Sequence, residues 1–63
     1  MTKNDTINQA TEEMLAIYKA HTREVDGEMK TTTLGVSKLI EFIMGCEAED
    51  RETITNRFEA KAV

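Results

Sequence analysis

The side chains able to do covalent chemistry are few. The 63-residue chain has one serine, Ser37, one histidine, His21, and one cysteine, Cys46. Nucleophilic catalysis needs a nucleophile within hydrogen-bond reach of a base, and the base held by a third group. No serine or cysteine lies near His21 in sequence, and Ser37 falls inside the most apolar segment. His21 stands in an apolar stripe, where a histidine is a packing or boundary residue. Cys46 has no activating neighbour and reads as a small buried hydrophobe. No CxxC or HxxxH spacing occurs, so a tetrahedral zinc site would have to recruit carboxylates or a second chain. These residues predict no enzyme activity, no metal and no cofactor.

Three other groups have binding chemistry. In Lys30-Thr31-Thr32-Thr33-Leu34-Gly35 a helix start would bring hydroxyls, free amide N–H groups and a lysine near one another, the elements of an anion site. Lys38 from another subunit could add to it. The glycines and the Lys-Ser/Thr ending of a phosphate loop are missing, and helix capping alone accounts for the threonines. The acidic group Glu47, Glu49, Asp50 and Glu52 could dock on a basic partner, although Arg51 interrupts it and the first turn of a helix favours acidic residues anyway. Were residues 30–36 a strand, the order strand, helix, helix would match a ribbon-helix-helix DNA-binding dimer. DNA binding needs a concentrated basic face. This chain has net charge −4, with eight scattered Lys and Arg residues, so nucleic acid is the least favoured partner.

The elements that must position these groups follow from periodicity. Ile7, Ala10, Met14, Ile17, His21 and Val25 recur at steps of three and four, predicting a helix over about 7–25. Thr6 and Gln9 fit a capping box at its start, and Asp26-Gly27 fits a stop with Gly27 as a left-handed cap. Residues 28–33 are expected to be a loop, with a short strand as the alternative because of three β-branched threonines. A second helix is expected over about 34–44 and a third over about 49–61. The third is anchored by Ile54 and Phe58, and a continuous helix over 33–60 is the alternative. The expected fold is all-α: one small domain, 1–63, of two to three helices with frayed ends.

The second helix carries the main inference. Leu34, Val36, Leu39, Ile40, Phe42, Ile43 and Met44 make it apolar nearly all round, and such a helix is buried on most sides. One chain of this length cannot cover it. A chain of about 60 residues buries only about 60% of its unfolded surface, and small scaffolds usually need disulfides, a metal or oligomerisation. With one cysteine and no metal set, oligomerisation remains. These seven residues are therefore the expected interface. Leu, Ile, Val and Phe make up only roughly a fifth of the chain, close to the composition at which disorder wins. Architecturally this is analogous to helical-hairpin dimers that form four-helix bundles.

Residues 1–9 are polar and carry no signal-peptide pattern. Residues 39–46 form the longest apolar run, contain Glu41 and are too short to span a bilayer. A single cysteine suits a reducing compartment, so a cytoplasmic location away from membranes is expected. The functional expectation is a small oligomeric, non-catalytic binding protein: an inhibitor, adaptor or sequestering factor for a larger protein, of the kind phages use as accessory proteins. A binder of a small anionic or nucleotide ligand at Lys30–Gly35 between subunits is the second reading. A ribbon-helix-helix dimer is the third.

Overall fold

The structure, a computed structural model, describes residues 2–62. The order is α1 (Lys3–His21), β1 (Thr22–Val25), β2 (Glu28–Thr31), α2 (Thr33–Met44) and α3 (Ala48–Ala62). The molecule is mostly helical, with one small antiparallel sheet. The all-α expectation thus holds for the bulk of the chain and fails at the hairpin.

The first helix starts and ends about four residues earlier than its periodicity predicts. Its N-cap is Thr2, not Thr6. The Thr2 hydroxyl accepts from the Asp5 amide at 3.2 Å, and the Asp5 carboxylate accepts from the Thr2 amide. Its C-terminal end is set by pairing. Thr22, Arg23, Glu24 and Val25 face Thr31, Lys30, Met29 and Glu28 across an antiparallel ladder. Residues 22–25, expected as helix, are strand, and residues 28–31, expected as loop, are their partner. Between them Asp26 and Gly27 both lie at positive φ, 53° and 82°. This is the pattern of a type I′ turn, whose twist matches that of the flanking strands. Asp-Gly serves both as a helix stop and as this turn. The β-branched Thr22, Val25 and Thr31 suit a pleated ribbon, and the pairing of the two segments decides for the turn. The Thr22 and Thr31 hydroxyls join at 2.7 Å at the base of the hairpin.

At that base the two chain directions are locked together. The Thr32 amide donates to the His21 carbonyl at 2.9 Å. Thr32 caps α2, its hydroxyl accepting from the Gly35 amide at 3.0 Å. Gly35 is buried directly against the His21 side chain, where a Cβ would collide with that of His21 and lie 3.0 Å from the Thr31 methyl. Glycine inside a helix costs roughly 1 kcal/mol relative to alanine. Here it is the residue that lets α2 approach the end of α1.

Helix α2 ends at Gly45, so the continuous-helix alternative does not hold. The Gly45 amide donates back to Glu41 and Phe42, and Arg51 reaches back to donate to the carbonyls of Met44 (2.9 Å) and Cys46 (3.2 Å). A guanidinium at this point satisfies carbonyls that a helix end leaves open and opposes the negative end of its dipole.

The core is small. Ile7, Met14 and Ile54 are buried together, with Ala10, Leu39, Phe42, Ile43, Cys46 and Phe58 partly buried around them. Tyr18 meets Phe58 edge to face, ring centroids 5.5 Å apart. Thr11 is fully buried, its hydroxyl donating to the Ile7 carbonyl at 2.8 Å. A polar seam runs down the outside of α1 and α3. Lys3 pairs with the start of α3, Arg57 donates to Asn8 (2.6 Å) and Asn4 (3.3 Å), and Lys61 pairs with Glu12 at 2.8 Å. Partners advance together along both helices, so α1 and α3 run in the same sense. Gly35 lies at His21 and Cys46 lies beside Thr6 and Ala10, so α2 runs opposite to α1.

Candidate functional site

Helix α2 meets its surroundings on three sides, and the sides differ in chemistry. At about 100° per residue, Gly35, Leu39, Phe42, Ile43 and Cys46 share the side that reaches the core. Val36, Ile40 and Met44, four residues apart, form a row on one flank. They are 44%, 56% and 58% exposed, and Leu34 near the N-terminus of the helix is exposed as well. Each is a large aliphatic side chain standing in water. Of the seven predicted interface residues, the structure therefore divides the set. Leu34, Val36, Ile40 and Met44 are open, while Leu39, Phe42 and Ile43 are engaged in the chain's own core.

The other flank of α2 forms a groove with α1. Thr6, Gln9, Ala10, Glu13 and Ile17 come from α1. Lys38, Glu41 and Phe42 come from α2, and Gly45 and Cys46 close one end. Its volume is about 620 Å³, within the range of about 300–1,000 Å³ that holds small ligands or a partner's anchoring side chains. Ala10, Ile17, Phe42 and Cys46 supply the apolar lining, and Gln9, Glu13, Lys38 and Glu41 the polar one. Sequence periodicity alone did not reveal this groove. It depends on how α1 and α2 are placed against each other, and they meet closely at one end through Gly35 and His21.

The predicted anion-binding residues are not gathered. Lys30 lies in β2 with its ammonium 3.5 Å from the Glu28 carboxylate. Thr31 is joined to Thr22, and Thr32 caps α2. Thr33 is the first residue of α2, and Lys38 is on the groove among Glu13 and Glu41. Two carboxylates beside one ammonium make that groove unfavourable for an anion.

The predicted acidic docking residues are brought together in part. Glu47, Glu49 and Asp50 offer oxygens within 4.8 Å of one another. The Lys3 ammonium sits among them, 3.4 Å from Glu47 and 3.2 Å from Asp50, and donates to Glu49. Asp50 is buried, so it needs a cation, and Lys3 supplies it. Hydrogen bonds from Lys3 hold the Glu49 carboxyl below its ordinary value. Lys61 does the same for Glu12. Glu52 stays exposed and outside the cluster.

His21 and Cys46 lie at opposite ends of α2, beside Gly35 and just after Gly45 respectively. Eleven residues of helix at about 1.5 Å each separate these ends by roughly 16 Å. Cys46 donates its thiol to the Phe42 carbonyl. The strand needed for a ribbon-helix-helix arrangement exists, at residues 28–31, but it pairs with β1 of its own chain. No helix among the described residues is long and apolar enough to cross a membrane. No protein-family model matches the chain, and neither a curated protein nor a solved structure is significantly similar to it.

Proposed function

We propose that this chain is a non-catalytic binding protein that works as a homo-oligomer, pairing through α2 and presenting its remaining surface to a larger partner as an inhibitor, adaptor or sequestering factor. The observation that carries this reading is the exposed row Val36, Ile40 and Met44 on a helix whose opposite flank forms a groove. One flank serves self-association, and the groove stays accessible for the partner. Glu13 and Glu41 on that groove favour a partner segment that brings an apolar anchor and a basic group.

The second reading, a small anionic ligand at Lys30–Gly35, has less support, because the hydroxyls and the lysine are satisfied within the chain. Affinity capture from the native host tests the binding role. The wild-type chain is compared with Glu41→Lys, which alters the groove and leaves the exposed row intact. A protein retained by the wild type and lost with Glu41→Lys supports the reading. An identical set of captured proteins from both baits counts against the groove as the partner surface.

A further inference from the structure

Resting on the groove as the partner surface, we infer that its occupant is a basic amphipathic helix of another protein, seated between α1 and α2 as the counterpart of α3. A pair of packed helices leaves a furrow on each side, where a third helix seats in bundles. The chain fills one furrow itself. Ile54 of α3 packs with Ile7 and Met14, and Leu39, Ile43 and Phe58 gather around them. The other furrow is the groove. Its floor, Ala10, Ile17, Phe42 and Cys46, is half-buried, and the charged residues at its rim, Glu13, Lys38 and Glu41, are exposed. Leu34, one turn before Lys38 on the same flank of α2, continues that wall with an aliphatic side chain 59% exposed. The α1 wall runs from Thr6 to Ile17, about 16 Å or three helical turns. That length suits a short helix presenting apolar side chains three and four residues apart.

Charge selects a basic helix. In the filled furrow the cations come from α3: Arg57 donates to Asn8 and Asn4, and Lys61 pairs with Glu12. Glu13, the next residue of α1, lines the groove instead, with Glu41 on α2. Among the described residues, neither carboxylate forms an ion pair. Two carboxylates and the Lys38 ammonium leave the groove with one net negative charge, which one lysine or arginine of the occupant neutralises. A neutral helix would take water from both carboxylates and return nothing, and an acidic one would add repulsion. A second copy of this chain does not supply the cation. At about 100° per residue, its exposed row Val36, Ile40 and Met44 is bordered on the solvent side by Ser37 and Glu41.

Selection on the wild-type chain from a displayed library of alanine-based helices of about four turns, randomised along one face, tests this. Enriched peptides should carry apolar residues three and four apart beside a lysine or arginine, and should move the amide resonances of Ala10 and Phe42. Glu13→Lys combined with Glu41→Lys should weaken their binding at least about tenfold, the worth of one hydrogen bond to a charged group. Glu52→Lys combined with Glu59→Lys, an equal charge change at exposed positions of α3, should leave binding unchanged. All four side chains are exposed, so both variants should keep the wild-type circular dichroism. No enrichment, or enriched peptides without a basic residue, would overturn the inference. Equal loss in both variants would reduce the binding to attraction by net charge and overturn it too. So would binding that survives the groove variant and is lost with Ile40→Asp, which places the helix on the exposed row. Groove resonances that move when the chain alone is diluted would make a second copy the occupant, a further contradiction. The underlying reading fails separately. If affinity capture still loses a host protein with Glu41→Lys while selection yields no basic helix, the groove stands as the partner surface and only the helix is wrong.

Discussion

At the level of single residues, two positions hold the molecule in shape and were hard to read from sequence. Gly35 looks like a weak point in a helix, and its substitution by alanine would ordinarily stabilise by about 1 kcal/mol. Its burial against His21 reverses the sign. Overpacking of a close contact costs about 1–3 kcal/mol, so Gly35→Ala should lower the urea midpoint. A raised midpoint would mean the contact with His21 is loose. Lys3, at the polar start of the chain, gave no sign of importance until Asp50 was found buried beside it. Lys3→Met should lower the melting temperature, and adding Asp50→Asn should recover part of the loss, because the stranded carboxylate is then gone.

The same cluster gives a pH dependence. Glu49 and Glu12 are held below their ordinary value of 4.5 by Lys3 and Lys61. Their contribution is therefore complete above 4.5 and is lost as pH falls through the folded-state values. Lys3 is held above its ordinary 10.5, by hydrogen bonds to Glu49 and then Asp50, so its contribution is complete below 10.5 and lost at higher pH. The urea midpoint should form a plateau between these limits and drop on the acid side. Lys3→Met should flatten the acid limb, and an unchanged limb would show that the Lys3 pairs are too well screened by water to matter.

At the level of elements, the helices were legible and the hairpin was not. Spacings of three and four residues, with Ile54 and Phe58 anchoring α3, predict two to three helices, and three are present, the first about four residues earlier than expected. The hairpin escaped because its signals serve two structures at once. Val25 continues the helical stripe of α1 and also fits a strand, and Asp26-Gly27 stops a helix or turns a ribbon. Only the pairing of residues 22–25 with 28–31 decides, and that is a contact between segments which local periodicity does not see. For α2, the apolar set was legible, but its division between core and surface was not. That division depends on where α1 and α3 lie. It makes a sharp contrast testable. Ile40→Asp changes an exposed side chain and should leave the helical circular dichroism and melting intact while abolishing assembly. Ile43→Asp puts a carboxylate against the core and should unfold the chain. Unfolding by Ile40→Asp in a chain that is monomeric would move Ile40 into the core and contradict the assignment.

At the level of the whole molecule, the shape is elongated. The extents are 41 × 19 × 16 Å and the radius of gyration is 12.1 Å, against about 10.6 Å for a compact domain of this length. The accessible surface is 4587 Å², where a compact monomer of this mass exposes about 4100 Å². Four hydrophobic residues, Ile7, Met14, Leu15 and Ile54, are buried among the described residues. Exposed aliphatic surface on α2 is the counterpart of that small core. Length and composition lead to the expectation of assembly, and the fold leaves Val36, Ile40 and Met44 exposed on α2. The groove between α1 and α2, the other half of the proposed binding role, was not legible because it is a property of helix placement and not of any motif.

Sedimentation equilibrium of the unmodified chain across the micromolar range tests the central claim most directly. The account predicts a mass rising towards twice the 7.1 kDa of one chain as concentration increases. A constant 7.1 kDa throughout, with the chain folded, would contradict it.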